Sequence, residues 1–156
     1  MPAEPEAKLL GALKRIAPSV SSATLASNFE YAVRIHREAN GSIGFGDLET
    51  WESHIGVTTT AWEPAGGADL GDLHAHPLAG PHTINENDLY FFEQGGDFTR
   101  KVGGKVLVKP GAFSPGDLDA YRAEGQNGWM TPAGSNKLLY FPVAGNANNC
   151  HYEYDY

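Results

Sequence analysis

The residues with the most chemical promise lie in Gly71-Asp72-Leu73-His74-Ala75-His76-Pro77. In a β-strand, positions i and i+2 point to the same face. His74 and His76 therefore project side by side, while Leu73 and Ala75 turn the other way into a core. Two imidazoles at a strand end that opens into a loop make half of a metal site. A catalytic zinc usually takes three protein ligands and a water, so a carboxylate or a further His must complete the set. Such a centre suits hydrolysis of a carbonyl compound. That chemistry wants a Glu nearby as general base and a hydroxyl or amide donor for the developing oxyanion.

The surrounding chain must supply a scaffold for that strand. Pro5 to Ile16 carries Leu9, Leu10, Leu13 and Ile16 at helical spacing, and Ala17-Pro18-Ser19 is expected to end the helix. Glu30 to Arg37 reads as a strand, paired with Ser42–Phe45 across Asn40-Gly41, a strong hairpin signal. A third strand is expected within His54–Trp62, and Ala68–His76 is the histidine strand. Leu78–Thr83 reads as a Gly/Pro loop, Asn85–Gln94 as a short helix with Leu89, Phe91 and Phe92 as its apolar side, and Lys105–Lys109 as a short strand. Ser114–Glu124 is a well-signalled helix, with Ser114 as N-cap, Pro115 at the first helical position and Asp117 in the first turn. Gly125–Gly128 ends it. Trp129–Pro132 and Lys137–Val143 read as a closing hairpin, before a polar and aromatic tail at Asn146–Tyr156. The pattern is one α/β or α+β domain, with a mixed β-sheet flanked by helices.

The 156 residues suffice for one core, and 41% hydrophobic with 19% charged content reads as globular. A net charge of −8 argues against binding to nucleic acid or to an anionic membrane. The single Cys150 excludes an intrachain disulfide, and its position beside His151 in the tail carries no catalytic signature. The first residues lack a secretory signal, and no run approaches the roughly 18 apolar residues of a membrane span. Synthesis in the cytoplasm is expected, with any export by another machinery. His82 sits in the Gly/Pro loop and is expected to be exposed; His36 and His54 read as structural, and Trp51, Trp62 and Trp129 as core or rim aromatics. The motifs of zinc deaminases, His-Glu-x-x-His peptidases and Gly-x-Ser-x-Gly hydrolases are absent.

An acidic residue on an early strand, then His-x-His-Pro, then Ser-x-x-Asp opening a helix, resembles the JAMM (JAB/MPN-type) metallopeptidases. Here the order is Glu30, His74-Ala75-His76-Pro77 and Ser114-Pro115-Gly116-Asp117. More narrowly, the chain looks like the JAB-like family DUF4329 of bacterial polymorphic toxins and Rhs-type effectors. That likeness rests on the Glu30–Gly41 strand and turn, Gly71–His76, Phe113-Ser114-x-x-Asp117 and Trp129-Met130-Thr131-Pro132-Ala133-Gly134. It spans roughly 28–143, leaving an N-terminal helix and linker at 1–27 and a tail at 144–156.

The resemblance implies a zinc ion (Zn2+) held by His74, His76 and Asp117, with Glu30 as the general base and Ser114 stabilising the tetrahedral intermediate. The better-known enzymes place the Asp much sooner after the second His. Here residues 77–116 intervene, and Leu78–Ala112 reads as a long insertion between ligands. Asp88, in Asn85-Glu86-Asn87-Asp88, is the nearer alternative, but it lacks the preceding Ser. Two imidazoles and a carboxylate suit zinc best, while iron, nickel or manganese fit the same donors. The implied activity is hydrolysis of a peptide or isopeptide bond by a toxin or effector domain. Its partners would be a protein or peptide substrate and a cognate immunity protein. A metal-free protein-binding module and an amidase of cell-wall crosslinks are the alternatives.

Overall fold

The computed structural model describes residues 2–93 and 100–156. The chain runs α1 (Ala7–Ser27), β1 (Tyr31–Arg37), β2 (Ile43–Phe45), β3 (Glu49–Thr50), β4 (Ala68–His76), β5 (His82–Thr83) and α2 (Glu86–Glu93). It continues through β6 (Arg100–Val102), β7 (Lys105–Leu107), α3 (Pro115–Glu124), β8 (Gly128–Pro132), β9 (Lys137–Phe141) and β10 (Tyr152–Asp155). This is one mixed α+β domain.

The central sheet has the order β10-β9-β8-β4-β1-β2, with β3 also pairing β1. Among the described residues, only the β4–β8 pair of this sheet is parallel; its neighbours are antiparallel. A parallel pair needs a long crossover. Residues 77–127 provide it, and they carry α2, α3 and a small sheet of order β5-β7-β6. Phe91, Val106 and Val108 of the crossover form a second apolar cluster with Ile55, which precedes β4.

Strand alternation sorts the two faces of the central sheet. Val33, Ile35, Leu73, Ala75 and Trp129 join Leu13, Ala17 and Val20 of α1 in the main core. On the opposite face, Ala32, His74 and Met130 lie side by side across β1, β4 and β8. The sheet thus separates a dry helix-covered side from a side that carries the histidines. The tail adds to this structure: β10 pairs with β9, and Tyr152, Tyr154 and Tyr156 pack against the main core. Both α1 and β10, which lie outside the span of the resemblance, are therefore built into the same sheet and core.

Several sequence expectations need correction. The first helix does not end at Pro18; it continues to Ser27, where Asn28 closes it in the left-handed conformation at φ 62°. Ala17, Val20, Ser21 and Thr24 extend the buried stripe past the proline, and Pro18 itself faces solvent. Burial along two further turns outweighs the local cost of a missing N–H. The third strand falls at Glu49–Thr50, not within His54–Trp62. β1 is already flanked by β4 on one side and by β2 and β3 on the other, so Val57–Thr60 find no free ladder beside it. Leu89 of α2 is exposed, leaving Phe91 as the buried anchor. Gln94, the expected end of that helix, lies outside the described residues. The Asn40-Gly41 turn is present, with Gly41 at φ 86°, a region glycine enters freely.

Candidate metal centre

The alternation of β4 turns His74 and His76 to the face on which α3 lies. Their Nε2 atoms approach to 3.0 Å. Asp117 brings its Oδ2 to 3.1 Å from His76 Nε2 and 3.3 Å from His74 Nε2. Two imidazole nitrogens and a carboxylate oxygen thus form a near-equilateral triangle. Tetrahedral zinc with bonds of about 2.0–2.1 Å has ligand-to-ligand edges of about 3.3 Å, close to those seen here.

Glu30 completes the group. It sits just before β1, buried, with its N–H donating to the Ser53 carbonyl and its own carbonyl accepting from Thr50 Oγ1. Ligand atoms from Glu30, His74 and His76 all lie within 4.8 Å of one another. This buried group could hold a metal ion. Burial raises the Glu30 carboxyl to about 7, against a smaller downward pull from the nearby imidazoles of His76 and His74.

Each imidazole is oriented through its second nitrogen. His76 Nδ1 lies 3.2 Å from the Lys109 carbonyl. A carbonyl only accepts, so Nδ1 carries the hydrogen and, in the neutral ring, Nε2 keeps its lone pair. His74 Nδ1 lies 3.3 Å from the Tyr121 hydroxyl. A metal-binding histidine typically donates its other N–H in this way, which fixes the tautomer and the ring. Tyr121 is itself held neutral: burial and the charges of Asp117, Asp72 and Glu30 push its phenol well above the usual value. Its ring lies flush on β8, where a Cβ at Gly128 would come within 2.0 Å of Tyr121 Cε2.

Asp117 is placed by the start of α3. Ser114 Oγ accepts from the Asp117 N–H at 3.0 Å, and Asp117 Oδ2 accepts from the Ser114 N–H at 2.9 Å. This reciprocal capping box satisfies two orphan donors of the helix. It also aims the carboxylate oxygen at the histidines, so the cap and the candidate ligand are one arrangement. Burial raises the Asp117 carboxyl, but the charges and hydrogen bonds of His74 and His76 outweigh it and hold it well below the usual range. In return, His74 rises to about 10: burial opposes its charge, and Asp117, Glu30 and Asp72 overcome that opposition.

Of the candidates from the sequence, Glu30, His74, His76, Asp117 and Ser114 come together. Asp88 does not. It caps α2, accepting from Asn85 N–H, from Ser53 Oγ and His54 N–H, and pairing with His54 Nδ1 at 2.8 Å. His82 is buried rather than exposed, because its Nε2 reaches the Leu78 carbonyl at 2.7 Å and its ring stacks on His54. His36 and His54 are both engaged within the fold, His36 with Glu38 and His54 with Asp88. Trp129 is a core residue, whereas Trp51 and Trp62 are exposed.

Two participants escaped the sequence reading. Tyr121 stands four residues after Asp117 and so shares its helix face, a spacing that could have pointed to it. The Lys109 carbonyl carried no such signal, since any residue type supplies one. A cleft of about 240 Å³ reaches the centre, with Ser114 and Asp117 in its wall.

Comparison with protein-family models, with curated proteins and with solved structures finds no match to this chain. Among the described residues, no helix is long and apolar enough to cross a membrane.

Proposed function

We propose that this chain is a zinc-dependent hydrolase of the JAMM type that cleaves peptide or isopeptide bonds, and that it serves as a bacterial toxin or effector domain. The observation that carries the catalytic reading is the triangle of His74 Nε2, His76 Nε2 and Asp117 Oδ2, with the Glu30 carboxyl beside it. The toxin assignment rests on the resemblance of the motifs alone.

The residues divide the work as follows. His74, His76 and Asp117 would hold the zinc, which would act as a Lewis acid on the scissile carbonyl and make water a better nucleophile. Glu30 takes a proton from the attacking water as its oxygen bonds to the carbonyl carbon. A carboxyl near 7 can accept that proton and then deliver it to the amine nitrogen as the C–N bond breaks. Ser114 Oγ already accepts from the Asp117 N–H, so its own hydrogen is free to stabilise the oxyanion.

Glu30→Gln tests the base directly. Hydrolysis of a peptide or isopeptide substrate should fall by about a hundredfold or more, while zinc content stays that of the wild type. A variant that keeps full activity contradicts the assignment. A wild type that holds zinc but hydrolyses no substrate in a broad panel, yet captures a protein partner, favours the binding-module alternative.

A further inference from the structure

The cleft beside the metal centre has two unlike walls. One is the segment Gly56–Thr58. From Gly56 to Pro64 the chain runs without a turn or bend and outside any strand. Among the described residues, the N–H groups of Gly56, Val57 and Thr58 make no hydrogen bond. The Thr58 carbonyl is engaged, accepting from Trp51 Nε1 at 3.2 Å. Like the edge of a sheet, this stretch offers backbone donors that have no partner. The other wall is apolar: Tyr90 and Phe91 of α2 together with Ala120 of α3, with Ile55 and Val57 contributing from the first side. Trp51 stacks on Tyr90 with ring centroids 5.3 Å apart, which braces the exposed part of that wall. Ser114 and Asp117 also line the cleft.

We infer that this cleft is the substrate groove, and that it takes an extended peptide with a bulky apolar side chain, such as Leu, Met or Phe, at or beside the bond to be cut. The extended peptide follows from the unpaired backbone, because strand addition uses main-chain hydrogen bonds for affinity and side-chain pockets for choice. The apolar side chain follows from the lining and the volume. An apolar cavity of about 150 Å³ accommodates a benzene ring, so about 240 Å³ admits a Phe or Leu side chain with part of its backbone. A cell-wall crosslink, with its small side chains, would leave most of that apolar surface wet. Continuity with Ser114 and Asp117 ties the groove to the catalytic reading, on which the cleavage part of the inference rests.

Gly56 lets the Phe91 ring pack directly against the backbone of the facing wall. A Cβ at this position would lie 2.2 Å from Phe91 Cδ1, so a side chain there must push the Phe91 ring out of place. Tyr90 is exposed and can be replaced without opening the core.

The test uses three fluorescent acetylated peptides: one with a single Phe, the same peptide with Ala in its place, and a cell-wall crosslink peptide. Binding is read by anisotropy on the zinc-loaded Glu30→Gln chain, where cleavage does not interfere. The Phe peptide should bind about tenfold tighter or more than the Ala peptide. Tyr90→Ser should shrink that ratio and Gly56→Ala should abolish it. Equal affinity for Phe and Ala peptides, preference for the crosslink peptide, or a Phe preference that survives Tyr90→Ser unchanged would each overturn the inference. Cleavage by the wild type separates the two claims. Binding with the predicted preference but no cleavage leaves the groove standing and removes the hydrolase reading. Equal cleavage of Phe and Ala peptides does the reverse.

Discussion

His74 and Glu30 set the pH behaviour of the metal-free protein. His74 moves from an ordinary value of 6.5 to about 10, so the stability it contributes is complete below 6.5 and is lost as pH rises through 10. Glu30 moves from 4.5 to about 7, and a carboxyl that prefers its proton when folded likewise loses its contribution as pH rises through 7. Glu30 acts between about pH 4.5 and 7 and His74 between about pH 6.5 and 10, one after the other and in the same direction, so the melting temperature of the chelator-treated chain should fall from about pH 6 to pH 9. Zinc competes with the proton on His74, so its stabilising effect should grow over the same range. Thermal unfolding with and without zinc at several pH values checks both; a flat metal-free profile contradicts them. Tyr121 acts at this scale too. Tyr121→Phe removes the acceptor for His74 Nδ1–H and leaves the ring packing in place. Zinc affinity should drop by roughly 10–100-fold, read by competition with a chromophoric chelator. Unchanged affinity would show that the hydroxyl does not orient His74.

At the scale of elements, local rules explain some pieces and long-range packing explains the others. β4 was legible because Ala68–His76 obeys a period of two, with Leu73 and Ala75 inward on one face and the histidines on the other. α3 was legible because Ser114, Pro115 and Asp117 are N-terminal signals that act within one turn. The end of α1 was not. Pro18 is a strong local breaker, and only the sheet, through Val20, Ser21 and Thr24, keeps the helix going. The proline is therefore a local cost accepted for a tertiary gain. Pro18→Ala, at an exposed helical position, should stabilise the fold by about 1–2 kcal/mol after allowing for the greater freedom it gives the unfolded chain. The melting temperature should rise by a few degrees; a decrease would mean that Pro18 makes a favourable contribution of its own.

For the whole molecule, the site is a product of the crossover between two parallel strands. The proposed ligands come from β4 and α3, on either side of a segment that contains α2 and the small sheet, and the Lys109 carbonyl within that segment pairs with His76 Nδ1. Residue types and their order pointed to Glu30, His74, His76, Ser114 and Asp117. Whether Asp88 or Asp117 reached the histidines depended on which way the crossover returned, and no local pattern encodes that. The same holds for His82, whose loop composition suggested exposure until the crossover buried it against His54. The groove proposed for the substrate is likewise shared between separate parts of the chain, Gly56–Thr58, α2 and α3. The most direct test of this account is metal content, measured by mass spectrometry on wild type, Asp117→Ala and Asp88→Ala after purification and exposure to zinc. Wild type and Asp88→Ala should each retain about one zinc per chain, and Asp117→Ala should lose it. A wild type that takes up no zinc, or an Asp117→Ala chain that binds it as tightly as wild type, would contradict the central claim.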